Sequence, residues 1–132
     1  MIPMDLKEKI GNEAGAVWNA ILASDQASFT KIRNETQLKN NEVYEAIGWL
    51  AREDKVKREG RRYKLDSTNL TPEIGENAGK IYDALHENNQ LTMNDLLKSG
   101  RINRKNVWTA IGWLAREDKL EMDEMGRLKL KS

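Results

Sequence analysis

The sequence predicts a mainly α fold with small β-hairpins (α+β), built as two tandem copies of one unit. Three observations carry this. The string Ala46-Ile47-Gly48-Trp49-Leu50-Ala51-Arg52-Glu53-Asp54-Lys55 recurs unchanged from Ala110 to Lys119, 64 residues further along a chain of 132. Extended upstream without a gap, the offset aligns Ile10-Gly11 with Ile74-Gly75, Ala14-Gly15 with Ala78-Gly79, Ala20 with Ala84 and Val43 with Val107. Ahead of each string apolar residues recur at helical spacing, and behind it short alternating runs flank a glycine. Self-similarity at half the chain length marks a duplication. The expected domains are 1–66 and 67–132. Units of roughly 65 residues bury thin cores, so the halves are expected to lean on each other.

In the first unit, Ile10, Ala14, Val17, Trp18, Ile21 and Leu22 form an amphipathic stripe, which predicts a helix from soon after Pro3 to Ser24-Asp25. Ile74, Ala78, Ile81, Tyr82 and Leu85 repeat it. Thr71 is the expected N-cap there, with Pro72 at the first helical position and Glu73 in the first turn. A polar break follows, then Ala27-Ser28-Phe29 or Leu91-Thr92-Met93 as a small edge strand. A second helix is expected from Thr30 to Glu35 and from Asn94 to Ser99, with Thr30 and Asn94 as caps and Gly100 as a stop.

The third helix holds the repeated string. Asn40 and Asn103 stand at its cap positions, and Val43, Ile47 and Leu50 (Val107, Ile111, Leu114) form its core stripe. Beyond it, Lys55 to Leu65 reads as strand, turn, strand, and Leu120 to Leu130 as the same hairpin one residue longer. Asp66 to Leu70 links the units, with a reach of at most ~17 Å at ~3.4 Å per residue.

Two short helices, a longer third and a β-hairpin make the winged helix-turn-helix arrangement. Val43 to Val56 resembles the end of a winged-helix recognition helix, with Asp54 where glycine is usual; Asp tolerates the left-handed backbone better than most residues. More closely, Ile10-Gly11-x-x-Ala14-Gly15 followed by Ala46-Ile47-Gly48-Trp49-Leu50-Ala51-Arg52-Glu53 resembles a small bacterial and archaeal winged-helix family, here present twice. That family is similar to stand-alone winged-helix modules. More distantly, it is similar to the nucleic-acid-binding winged helices at the end of the selenocysteine-specific elongation factor. The resemblance implies two tandem winged helix-turn-helix domains and, more weakly, nucleic-acid binding.

Composition narrows the function. With 22 basic and 21 acidic residues the net charge is +1, so only local charge points to a partner. There is no cysteine, which removes disulfides, zinc-thiolate sites and thiol catalysis. The start lacks the basic and apolar regions of a signal peptide, and no apolar run approaches the ~18 residues needed to cross a bilayer. A soluble, cytoplasmic protein without membrane contact is expected. No phosphate loop, metal spacing or nucleophile elbow occurs, and the single histidine, His86, reads as an exposed helix-end residue. A non-enzyme without cofactor or metal is expected.

A winged helix binds DNA through the start of its third helix while the wing touches the backbone. In the first unit the candidates are Lys39, Asn40 and Asn41, with Lys57, Arg58, Arg61 and Arg62 on a wing whose balance from Lys55 to Lys64 is six bases to one acid. In the second they are Arg101, Asn103, Arg104, Lys105 and Asn106, ahead of a wing weakened by Glu121, Asp123 and Glu124. Basic wing and basic helix form one split surface, or are merely solvated faces. The leading expectation is duplex DNA, bound by a small regulator or accessory factor. The alternatives are a protein-protein interaction or self-association module, as a homo-oligomer or with a protein partner, and structured RNA, which only the elongation-factor likeness implies.

Trp49 and Trp113 lie off the core stripe beside Gly48 and Gly112, each costing about 1 kcal/mol in a helix interior relative to alanine. The first reading packs each indole on helix 1 near a notch at Gly11 and Gly15, or Gly75 and Gly79. The second puts the indoles in a contact between halves or copies, and the third stacks them on a nucleotide. Because the identical string is the end of the helix, away from a groove, it reads as shared scaffold.

Overall fold

The computed structural model describes residues 5–98 and 102–131. Gly100, the expected helix stop, and Arg101, a candidate contact, lie outside them.

The first unit runs α1 (Leu6–Ser24), β1 (Gln26–Ser28), α2 (Phe29–Thr36), α3 (Asn40–Arg52), β2 (Val56–Glu59) and β3 (Arg62–Leu65). After a π-helical turn, Thr71–Gly75, the second runs α4 (Glu76–Asn88), β4 (Gln90–Leu91), α5 (Met93–Lys98), α6 (Arg104–Arg116), β5 (Leu120–Met122) and β6 (Leu128–Leu130). Each unit has a three-stranded antiparallel sheet with the last strand central, in the orders β1-β3-β2 and β4-β6-β5. Ala27 faces Tyr63, whereas Leu91 faces Leu128, a spacing of 65 on the last strand where the helices keep 64. The second hairpin is therefore one residue longer, as expected. Two tandem winged helix-turn-helix units account for the whole described chain.

Several local expectations move by a residue. Ser28, not Thr30, caps α2 by accepting from the Lys31 N–H. Thr92, not Asn94, starts α5: its hydroxyl accepts from the Asp95 N–H and the Asp95 carboxylate accepts from the Thr92 N–H. Lys39 occupies the cap position of α3 and Asn40 its first turn. Asn103 does cap α6, accepting from the Asn106 N–H at 2.9 Å. Leu70, not Thr71, precedes the helical turns of the second unit. The reason there is packing: Leu70 is buried, which extends the turn backward past the polar cap. Leu22 is 56% exposed, off the stripe assigned to it, like its exposed counterpart His86. Asp54 and Asp118 take φ of +62° and +60°, the left-handed conformation expected where glycine is usual.

The hydrophobic cores do not divide where the repeat does. Leu6 and Ile10, from the start of α1, are buried in the core of the second unit with Ile81, Val107, Ile111 and Leu114. Their counterparts Leu70 and Ile74 are buried in the core of the first unit with Val17, Ile21, Val43 and Ile47. Each unit thus lends its first helical turn to the other. The linker is correspondingly fixed. The Thr68 N–H donates to the Asp54 carboxylate, and Asn69 brackets Arg58 by accepting from its N–H and donating to its carbonyl.

Among the described residues the most extensive contact is α3 against α6. It is close enough that a Cβ on Gly48 would stand 1.8 Å from the Thr109 carbonyl oxygen, and one on Gly112 1.8 Å from that of Glu45. The offset of 64 converts one pair into the other, so the contact is reciprocal, as in an isologous dimer interface. Only glycine lets the backbones approach to this distance.

Candidate nucleic-acid interface

The repeated string forms the seam between the units. A Cβ on Gly11 would meet the Trp49 ring at 3.3 Å and one on Gly75 the Trp113 ring at 3.6 Å, so each indole packs on its own first helix. Gly15 and Gly79 are exposed, and a Cβ there would meet nothing within 4 Å, which confines the notch to Gly11 and Gly75. Both indoles also touch both cores. The Arg116 guanidinium lies 5.6 Å from the Trp49 ring centroid and Arg52 5.6 Å from that of Trp113. Arg52 donates to Glu117 at 3.1 Å and Arg116 to Glu53 at 3.0 Å. The first two readings of the tryptophans thus hold together. Each exposed ion pair is worth at most about 1 kcal/mol, so their use is to set the register of the seam.

Since these pairs join the two C-terminal ends, α3 and α6 run in the same sense across their contact. Their starts therefore lie side by side. Asn40, Asn41, Tyr44, Arg104, Lys105 and Trp108 line one surface cavity of about 350 Å³. The Lys105 ammonium lies 5.9 Å over the Tyr44 ring. The helices position these groups at the starts of α3 and α6, where side chains project beyond the buried crossing. Asn40 is oriented by Arg33, which donates to its amide oxygen at 3.0 Å. Lys39 is exposed, and its N–H donates to the Glu42 carboxylate. Asn103 is spent on its cap, and Asn106 is half-buried.

The basic wing separates into inner and outer residues. Arg58 shares the inward face with Val56 and Tyr63 and donates to Glu73 of the second unit at 3.2 Å, tying the units together. Arg58 and Lys105 line the same small cleft, so wing and helix do converge there. Lys57 faces outward between Glu59 at 2.9 Å and Asp66 at 3.9 Å. Arg61 and Arg62, at the turn, are exposed and unpaired among the described residues. Arg62 lies opposite Ser28 in the sheet, and the next residue, Phe29, stacks on Tyr44 at 4.4 Å. Wing tip, aromatic pair and the start of α6 therefore follow one another across the surface.

One cluster was only half legible in the sequence: Lys9 and Glu13 stand four apart on α1, but Glu45 lies on α3. Glu13 (α1) and Glu45 (α3) are buried, and Lys9 donates to them at 2.6 and 2.9 Å. The Glu13 Oε1 has no hydrogen-bond partner among the described residues. Burial and the adjacent Glu45 carboxylate outweigh Lys9 and push the Glu13 carboxyl up to about 9. Burial works against the Lys9 charge, but both carboxylates hold its pKa above the ordinary value. In the second unit the matching positions of Glu13 and Glu45 are Asn77 and Thr109, buried and neutral. A carboxyl whose pKa rises on folding holds a proton that the unfolded chain has released. The resulting stabilisation is complete below about pH 4.5 and declines as pH rises toward 9. Glu13→Gln mimics the protonated form. It should flatten that decline, so that its melting temperature rises above that of the parent protein as pH increases from 5 to 9. Parallel melting-temperature profiles would contradict this.

Among the described residues no helix is long and apolar enough to cross a membrane, and no group of three or more His, Asp or Glu is placed to hold a metal ion.

Comparison with known proteins agrees with the fold. The sequence profile of a winged helix-turn-helix domain family, DUF2582, matches the chain twice, over residues 4–70 and 65–130. The uncharacterised protein MJ1608 of Methanocaldococcus jannaschii is 44% identical over 63 residues, covering 44% of this chain and 90% of that protein. That relative is thus about one unit long. No solved structure gives a match.

Proposed function

The chain belongs to the DUF2582 winged helix-turn-helix family, and from that membership and the geometry of its shared face we propose that it binds nucleic acid, DNA foremost. It acts as a small regulator or accessory factor in the cytoplasm. The observation that carries this reading is the cavity between the starts of α3 and α6. Two cations, Arg104 and Lys105, and two amides, Asn40 and Asn41, converge there with no carboxylate among the described lining residues. Arg61 and Arg62 at the wing tip extend the positive surface past Phe29. Cations of this kind contact phosphate, and asparagines read base edges.

The geometry restricts how a duplex is met. Paired winged helices that read a palindrome hold their recognition helices about 34 Å apart, one turn of DNA. Here the two starts share a cavity, so the chain addresses one site rather than two half-sites.

Anisotropy titration of labelled DNA should show binding that weakens steeply between low and moderate salt, as counterions are released. Arg104→Ala with Lys105→Ala should weaken it about tenfold or more and reduce the salt slope by roughly 0.9 for each duplex phosphate that is no longer neutralised. Arg61→Ala with Arg62→Ala should act in the same direction. If neither duplex nor single strand binds at low salt, nucleic-acid binding is wrong. The interaction module then stands, favoured by Met122 and Met125, which are exposed on the acidic second wing.

A further inference from the structure

The cavity at the starts of α3 and α6 holds more than phosphate contact requires. We propose that it takes one unpaired base, so that the chain prefers DNA with a single-stranded stretch over fully paired DNA. This deepens the nucleic-acid reading above and rests on it.

The first ground is width. An α-helix with its side chains is about 10–12 Å across, and the major groove, about 12 Å wide, admits one. Because α3 and α6 lie side by side in contact at Gly48 and Gly112, their starts together are wider than a single helix. The pair cannot enter one groove together.

The second ground is the lining. Tyr44 and Trp108 border the cavity, and ring faces serve a base only when it is free of its own stack. Phe29 backs Tyr44 at 4.4 Å and 25°, which fixes the ring as a platform. Over the ring lies a flexible group, the Lys105 ammonium at 5.9 Å. A base can take that place while the ammonium moves to the neighbouring phosphate, so the exchange keeps the cation in use.

The third ground is the rim. The Asn41 side chain borders the cavity, and Asn40 is held there by Arg33. Each amide offers both donors and acceptors to a base edge. Arg104 supplies a second cation for the strand on either side of the bound base.

The test uses the full chain and three labelled probes at low salt: oligothymidine, a blunt duplex, and that duplex with a central run of mismatches. The expected result is that oligothymidine and the mismatched duplex bind at least about tenfold tighter than the blunt one. Tyr44→Ala should lower affinity for those two roughly ten- to a hundredfold, the usual effect of removing a stacking ring, and lower blunt-duplex affinity several-fold less, so that the preference for unpaired DNA shrinks. Equal affinity for all three probes overturns the unpaired-base proposal and leaves nucleic-acid binding standing. Failure of every probe to bind overturns the reading beneath it as well. If Tyr44→Ala does not fold, photo-cross-linking of bromouracil-substituted oligonucleotide to the unaltered protein decides. Adducts on Tyr44, Trp108 or Phe29 support the proposal, and adducts confined to other residues overturn it.

Discussion

Gly48→Ala is expected to destabilise the protein by about 3 kcal/mol, the upper end of over-packing costs, and to lower the melting temperature by about 10 °C. Helix propensity alone predicts the opposite sign, a gain of about 1 kcal/mol. The seam decides, because the new methyl would stand 1.8 Å from the Thr109 carbonyl oxygen, a backbone atom that cannot turn aside. Gly112→Ala meets the Glu45 carbonyl at the same distance and should cost about the same. The double variant should cost less than the sum, since the first substitution has already opened the crossing that the second would open. Gly15→Ala and Gly79→Ala are the controls. Both sites are helical and exposed with nothing within 4 Å of the added carbon, so each should gain about 0.5–1 kcal/mol. Thermal unfolding of the four single variants checks this, and a Gly48→Ala protein as stable as its parent would refute the seam.

The glycine shows where sequence reading stops. Periodicity places Gly48 in a helix, and its helix carries it there, but the partner that requires it is Thr109, on the other unit. Elements were legible because their signals are local: the stripe of α1, the cap at Asn103, and Asp54 in a left-handed turn. The seam is not local, yet the sequence carried a trace of it. Residues 10 to 45 keep seven identities with their counterparts, whereas the ten from Ala46 to Lys55 keep all ten. A shared scaffold tolerates conservative exchange, as Trp18 and Tyr82 show. A self-complementary contact does not, because each residue is used from both sides: Arg52 meets Glu117 while Glu53 meets Arg116. Identity confined to one stretch of a diverged duplication is therefore the signature of a contact between the copies.

The candidate surface was legible in kind but not in arrangement. Lys39, Asn40, Asn41, Arg104 and Lys105 follow from the expected helix starts, but that they adjoin depends on the sense in which α3 and α6 cross. Tyr44 and Trp108 read as structural because they occupy matching positions. Trp108 does pack in part on the core of the second unit and Tyr44 stacks on Phe29, while the cavity that both border lies between the units. Arg58 read as a phosphate contact like its neighbours, and its tie to Glu73 depends on the second unit's first turn lying against the first wing.

That exchange of first turns leads to the second large effect. Ile10→Ala should destabilise the protein by about 2–5 kcal/mol, the range for emptying a fully buried isoleucine site. The packing it removes lies in the second unit, although Ile10 belongs by sequence to the first. Ile74→Ala should do the same to the first unit. Two independent domains would respond separately, each variant lowering one transition and sparing the other. Interlocked units cannot, since unfolding either withdraws a turn from the other's core and exposes the Gly48–Gly112 seam. Both variants should therefore keep a single transition, with calorimetric and van't Hoff enthalpies equal and melting temperatures lowered together. Calorimetry of the parent and both variants gives the answer, and two resolved transitions in either variant would show that the units fold apart. The same argument explains how two such small units hold together without a disulfide. Each core is completed by the other unit, so the pair folds as one body rather than as two marginal ones.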